Sequence, residues 1–314
     1  MSEILAYQPA HAHQSTYVEA RGLRQHVLVW GDLSAVSAHN PLVVMVHGWM
    51  DVGASFQFVV DELLARPDWA GRTVVALDWR GFGHTQPPAA TDCYFTPNYL
   101  ADLDALLKVL SPEHPIDLVG HSMGGNIVML YAGLRPQKIR RLVNLDGLGM
   151  PATEPSQAPE QYVKWLDELQ QPVALKAYDS VQGVADRLRA NNPRLRADRA
   201  RWLAAHWARE EGGRWIINAD PAHKRPQPFL YRVEEVKAIW AQIACPTLLV
   251  EGADTNYFAF WTGRYGRDEY LARTQVIGDF RVVTVADAGH MLHHDQPEAV
   301  AEHLAAHLAL PKCP

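Results

Sequence analysis

The chain has 314 residues, 48% of them hydrophobic and 20% charged, enough for one large domain or two modest ones around a substantial core. A net charge of −6 and a pI of about 6.2 exclude the basic surface that would hold nucleic acid or an anionic membrane. Three distant cysteines, Cys93, Cys245 and Cys313, lack metal-ligand spacing. Their odd number argues against a disulfide framework and for a reducing, cytoplasmic setting. The opening MSEILAYQPAHAHQS has no basic stretch followed by an apolar one, so we expect no secretory leader. No apolar run is long enough to span a membrane.

Residues 1–14 read as a loose arm, and TYVEARGLRQHVLVW (16–30) as two strands turned at Arg21-Gly22. Short apolar runs follow at Leu42–Val46, Thr73–Leu77, Ile116–Val119, Leu142–Leu145, Thr247–Val250 and Val282–Val285. They are rich in valine and leucine and do not alternate with polar residues, as expected of parallel strands buried on both faces. Helical periodicity lies between them, at about 55–65, 98–110, 123–134 and 297–309. Strand alternating with helix predicts an α/β fold with a mostly parallel sheet flanked by helices, opened by an antiparallel hairpin.

The alternation breaks over residues 147–241. That stretch starts with prolines and small residues (GMPATEPSQAP), turns helical and carries Trp165, Trp202, Trp207, Trp215 and Trp240. We read it as a helical cap inserted after the sixth strand, with 15–146 and 242–314 forming the core domain. No strand is expected in it except at Trp215–Ile217. Its tryptophans either line a pocket or form the cap's own core, the commoner fate.

The chemistry concentrates around DLVGHSMGGN (117–126). Ser122 stands at the end of an apolar strand and just before a helix. A sharp strand-to-helix turn there lifts the serine clear and crowds the backbone, and glycines at 120 and 124 relieve the crowding. The helix that follows aims its first N–H groups at any anion formed there. No lysine follows at phosphate-loop spacing. A serine nucleophile needs a base, and His290, after an apolar strand and Gly289 in VVTVADAGHMLHHDQPE (282–298), is the candidate. His293 and His294, one turn on, read as solvent-facing or supporting residues. Two backbone donors are needed for an oxyanion. Met123, after the nucleophile, is one, and Trp49, in His47-Gly48-Trp49 after the Leu42–Val46 strand, is the other. His47, Gly48 and His121, which flank these groups, are candidate substrate contacts.

The motifs HGWMD, DWRGFGHT (78–85), GHSMGG and AGHMLHHDQPE, in this order, resemble the α/β-hydrolase fold superfamily and its capped esterase and lipase-like branch. The likeness covers nearly the whole chain apart from the first dozen or so residues and the cap. It implies a Ser–acid–His order, a lid after the sixth strand, no cofactor, and in DWRGFGHT a loop pinned by Asp78 and Arg80. It does not specify the substrate. The family usually places the acid as G-x-x-D after the seventh strand, but here LLVEGADTNYF puts threonine at that position and Asp254 one residue early. Some members supply the acid from the end of the sixth strand, where Asp146 stands. Asp254 and Asp146 both remain candidates.

The reading is acyl transfer to water from a carboxylic ester with a hydrophobic acyl or aryl part. The alternatives are a carbon–carbon bond hydrolase of the same fold, whose members often carry asparagine where His121 stands, and a non-catalytic ligand-binding member. Serine at 122 argues against epoxide hydrolases and dehalogenases, which use aspartate there. The expected partner is a small hydrophobic ester, and the oligomeric state is left open.

Overall fold

The computed structural model describes residues 5–310, so Cys313 lies outside the described residues. The valine- and leucine-rich runs all become strands. After the hairpin β1 (Gln14–Ala20) and β2 (Leu23–Trp30) come β3 (Val43–Val46), β4 (Val74–Leu77), β5 (Ile116–His121) and β6 (Ile139–Leu145). Helices α1 (Gln57–Leu64), α2 (Thr96–Leu110) and α3 (Met123–Leu134) connect β3 through β6. The insertion contains α4 (Ala158–Leu169), β7 (Ala177–Tyr178), α5 (Val181–Asn191), α6 (Ala197–Trp207), β8 (Ala208–Glu211), β9 (Arg214–Ile217) and α7 (Val233–Trp240). The chain then returns to the sheet with β10 (Thr247–Gly252), α8 (Arg267–Thr274), β11 (Phe280–Val285), α9 (Leu292–Asp295) and α10 (Pro297–His307).

The eight-stranded sheet has the order β1-β2-β4-β3-β5-β6-β10-β11. Only the β1–β2 and β2–β4 pairings are antiparallel; the strands from β4 to β11 run parallel. Side chains alternate across the pleat. Val43, Met45, Val74, Ala76, Val119, Val143 and Leu145 face the layer that holds α1 and α10. Val44, Val46, Val75, Leu77, Leu118 and Leu142 face the layer of α2, α3 and α7. Both faces of the central strands are covered, so their middles read as nearly continuous apolar runs.

Two expectations need correcting. The insertion is not purely helical: β7, β9 and β8 make a three-stranded antiparallel sheet. The arm is not loose over its described part. Tyr7 donates its hydroxyl to Asp61 at 2.6 Å and its N–H to the Asp198 carbonyl, and the N–H groups of Ala10 and His11 also reach Asp61. Of the cap tryptophans, Trp207 and Trp240 are buried in apolar clusters and Trp202 and Trp215 pack against one. Cys93 and Cys245 are free and buried. Among the described residues no helix is long and apolar enough to cross a membrane.

Candidate active site

Ser122 occupies the turn between β5 and α3 with φ 53° and ψ −115°, a conformation costly for a residue with a β-carbon. Its N–H is tied to the Leu145 carbonyl at 2.9 Å, which fixes the turn against β6. The turn is as crowded as the glycines suggest. A β-carbon on Gly124 would lie 2.5 and 2.6 Å from the carbonyl oxygens of Val46 and His47, and one on Gly120 would collide with the Gly124 carbonyl.

His290 follows β11 and is one-quarter exposed. One ring nitrogen, Nε2, stands 2.9 Å from the Ser122 hydroxyl, and Nδ1 stands 2.7 Å from Asp146 Oδ2. Asp146, at the end of β6, is fully buried and has φ 51°. Its carboxylate also accepts the Thr255 hydroxyl at 2.6 Å and the Gly252 N–H at 3.3 Å. Asp254, the other candidate acid, instead makes an exposed ion pair with Arg194 at 2.7 Å. The geometry therefore favours Asp146, and the threonine at the family's usual acid position is a hydrogen-bond donor to it. A hydroxyl, an imidazole and a buried carboxylate linked this way can pass a proton from the serine and stabilise the resulting imidazolium.

Met123 opens α3, so its N–H is one of the helix's unpaired first-turn donors. Gly48 runs close by: a β-carbon there would sit 3.1 Å from Ser122 Cβ. The Trp49 side chain is half exposed and donates its indole N–H to the His223 carbonyl in the cap. His47 and His121 are not placed to contact substrate, because both are buried and bonded within the protein. His47 donates from Nδ1 to the Gly48 carbonyl and accepts the Trp79 N–H at Nε2, and burial pushes its pKa down to about 4. It thus pins the loop after β3 to the loop after β4. His121 donates from Nε2 to the His290 carbonyl at 2.9 Å. His293 and His294 are also buried, so the solvent-facing reading fails for both.

DWRGFGHT is pinned as the sequence suggests. Asp78 accepts from the His26 ring and from the Gly53 and His84 N–H groups, and Arg80 forks onto Asp102 of α2. Residues that the sequence did not single out also matter. Thr255 reaches Asp146, and Tyr257 lies with its ring 5.5 Å from His290. The threonine in the family's acid position was the only available signal.

A mostly parallel sheet with these crossovers, a serine on a strained turn and a late histidine together define the class of protein. The profile of the alpha/beta hydrolase fold matches residues 41–297, and the chain belongs to that family. It is similar to a serine hydrolase-like protein of Danio rerio, 25% identical over 280 residues that cover 87% of this chain and 83% of that protein. It is also similar to a 3-hydroxybutyrate-oligomer hydrolase of Cupriavidus necator, 27% identical over 93% of this chain and 92% of that one. Among solved structures it is similar to the thioesterase domain from the curacin biosynthetic pathway. The TM-score is 0.78 and the identity 26%, covering 93% of this chain and 99% of that one.

Proposed function

We propose that the protein is a serine hydrolase that cleaves a carboxylic ester with a hydrophobic acyl or aryl part. Ser122 is the nucleophile, His290 the general base and then acid, and Asp146 the carboxylate that orients the ring and stabilises its protonated form. Met123 and Trp49 supply the N–H groups that hold the oxyanion. Attack on the ester carbonyl gives an acyl-serine and releases the alcohol, protonated by His290. Water activated by the same ring then releases the acid. The unbroken hydrogen-bond chain Ser122–His290–Asp146 carries this reading.

The aromatic group Tyr257, Phe258 and Trp261 after β10 and the half-exposed Trp49 favour an apolar substrate part. The relative named for 3-hydroxybutyrate oligomers and the thioesterase domain favour an acyl–oxygen or acyl–sulfur bond. The insertion after β6 serves as the lid.

Hydrolysis of p-nitrophenyl esters of graded chain length tests the reading, with Ser122→Ala alongside. We expect turnover with a chain-length optimum, reduced in the variant by roughly 10³-fold or more. Activity in Ser122→Ala within a few-fold of wild type rules out the nucleophile. No turnover of any ester by the wild type turns the assignment toward carbon–carbon hydrolysis or ligand binding.

A further inference from the structure

Three side chains that the proposed hydrolysis does not use meet beside the His290 loop. Asp51 comes from the loop after β3, His121 ends β5 and His293 lies in α9. All three are buried, at 5%, 1% and 0% exposure. Asp51 Oδ2, His121 Nδ1 and both ring nitrogens of His293 have no hydrogen-bond partner in the protein. One possible ligand atom from each residue lies within 4.8 Å of the others, and His293 Nε2 is 3.9 Å from Asp51 Oδ2. A single unpaired buried polar atom costs about 1–3 kcal/mol. Three converging from three separate elements mark a place where something polar is bound.

The surroundings specify its chemistry. His121 donates Nε2–H to the His290 carbonyl, which fixes the tautomer and leaves Nδ1 as an unpaired acceptor. That is the arrangement found behind metal-bound imidazoles. Asp51 Oδ1 is held by the Val52 N–H at 2.9 Å and by the Ser55 hydroxyl, which leaves Oδ2 as the coordinating oxygen. The Trp207 indole N–H also donates to this carboxylate, and Phe56 and His294 pack against the His293 ring. Two imidazole nitrogens and one carboxylate oxygen suit zinc-type ions, whereas calcium and magnesium take oxygen donors. Tetrahedral bonds of about 2.0–2.2 Å place donors about 3.4 Å apart, so an ion would draw the His293–Asp51 pair in by about half an ångström.

We propose that Asp51, His121 and His293 form a buried site for a divalent transition-metal ion of the zinc type, bound by Asp51 Oδ2, His121 Nδ1 and His293 Nε2. The ion lies outside the Ser122–His290–Asp146 chain. It joins the loop after β3, the end of β5 and α9, and through His121 it steadies the backbone of His290. The proposal stands whichever bond the enzyme hydrolyses.

The test is to express the untagged full chain with cobalt in place of zinc and to remove surface-bound metal with a brief chelator wash. Metal content, the visible absorption of Co2+ and the melting temperature are then measured. We expect about one retained ion per chain, the absorption of a nitrogen- and oxygen-bound Co2+, and a lower melting temperature after prolonged chelation in mild denaturant. Asp51→Asn preserves the shape of the carboxylate and its acceptor for Val52 and Ser55, and His293→Phe preserves packing on Phe56. Each should lose the absorption and the chelation-dependent drop in melting temperature. A folded wild-type chain that retains no ion overturns the site without recourse to either variant. So does an ion retained equally in both variants, which would place it elsewhere.

Discussion

The Asp146 carboxylate is fully buried, in a left-handed backbone conformation that non-glycine residues seldom adopt. It is held by bonds from Thr255, Gly252 and His290. Because an amide in its place would offer the ring a donor where it needs an acceptor, Asp146→Asn should lower kcat by roughly 10⁴-fold. Asp254→Asn removes only an exposed ion pair of the kind worth about 0–1 kcal/mol and should leave kcat within about two-fold. Steady-state kinetics on one ester decides between them, and the reverse order of effects would return the acid to Asp254. Residue identity left these two aspartates even, because the choice depends on which loop end faces His290. That in turn depends on Thr255 meeting a carboxylate 109 residues away in sequence. Ser122 and His290 were legible because each carries its own local signature of strand, glycine and turn. The burial of His47, His121 and His293 was not, since no local pattern tells a buried histidine from an exposed one.

At the scale of elements, the turn around Ser122 is packed too tightly for β-carbons at its glycines. Gly124→Ala places a β-carbon against the Val46 and His47 carbonyls, which are backbone atoms with little freedom to move. It should cost more than about 2 kcal/mol of stability in denaturant unfolding. Gly266→Ala, at an extended residue with open space around it, should stay within about 0.5 kcal/mol. Equal effects of the two changes would contradict the crowding argument. The parallel strands were legible because burial on two faces imposes apolar runs. The small cap sheet was not: β7 has two residues, and β8, with sequence AREE, is mostly exposed. Neither carries a hydrophobic pattern, and both are set by pairing with β9. The ordering of the arm has no local signature for a similar reason, since its anchors Asp61 and Asp198 lie far along the chain.

Across the whole molecule, buried neutral histidines make stability depend on pH. Burial lowers His47 to about 4 and His223 to about 3, from 6.5. The unfolded chain therefore takes up these protons first. Stability is full above about pH 6.5 and is lost as the pH falls toward the folded values, by a few kcal/mol for each group to order of magnitude. Melting temperature should therefore fall between about pH 7 and pH 4, and a flat profile would show that these rings are not buried as described. His223 also has a mechanical part. It stacks between Phe82 and Tyr94 with both ring centroids 3.6 Å away, and donates to the Arg80 carbonyl while accepting from Tyr99. Alongside it, Gly83 and Gly81 of the core exchange backbone hydrogen bonds with Asn218 and Asp220 of the cap. Stacked rings and backbone bonds thus join the insertion to the core at this point. These contacts tie residues 218–223 of the insertion to the loop after β4, whereas no side chain of α4 is buried.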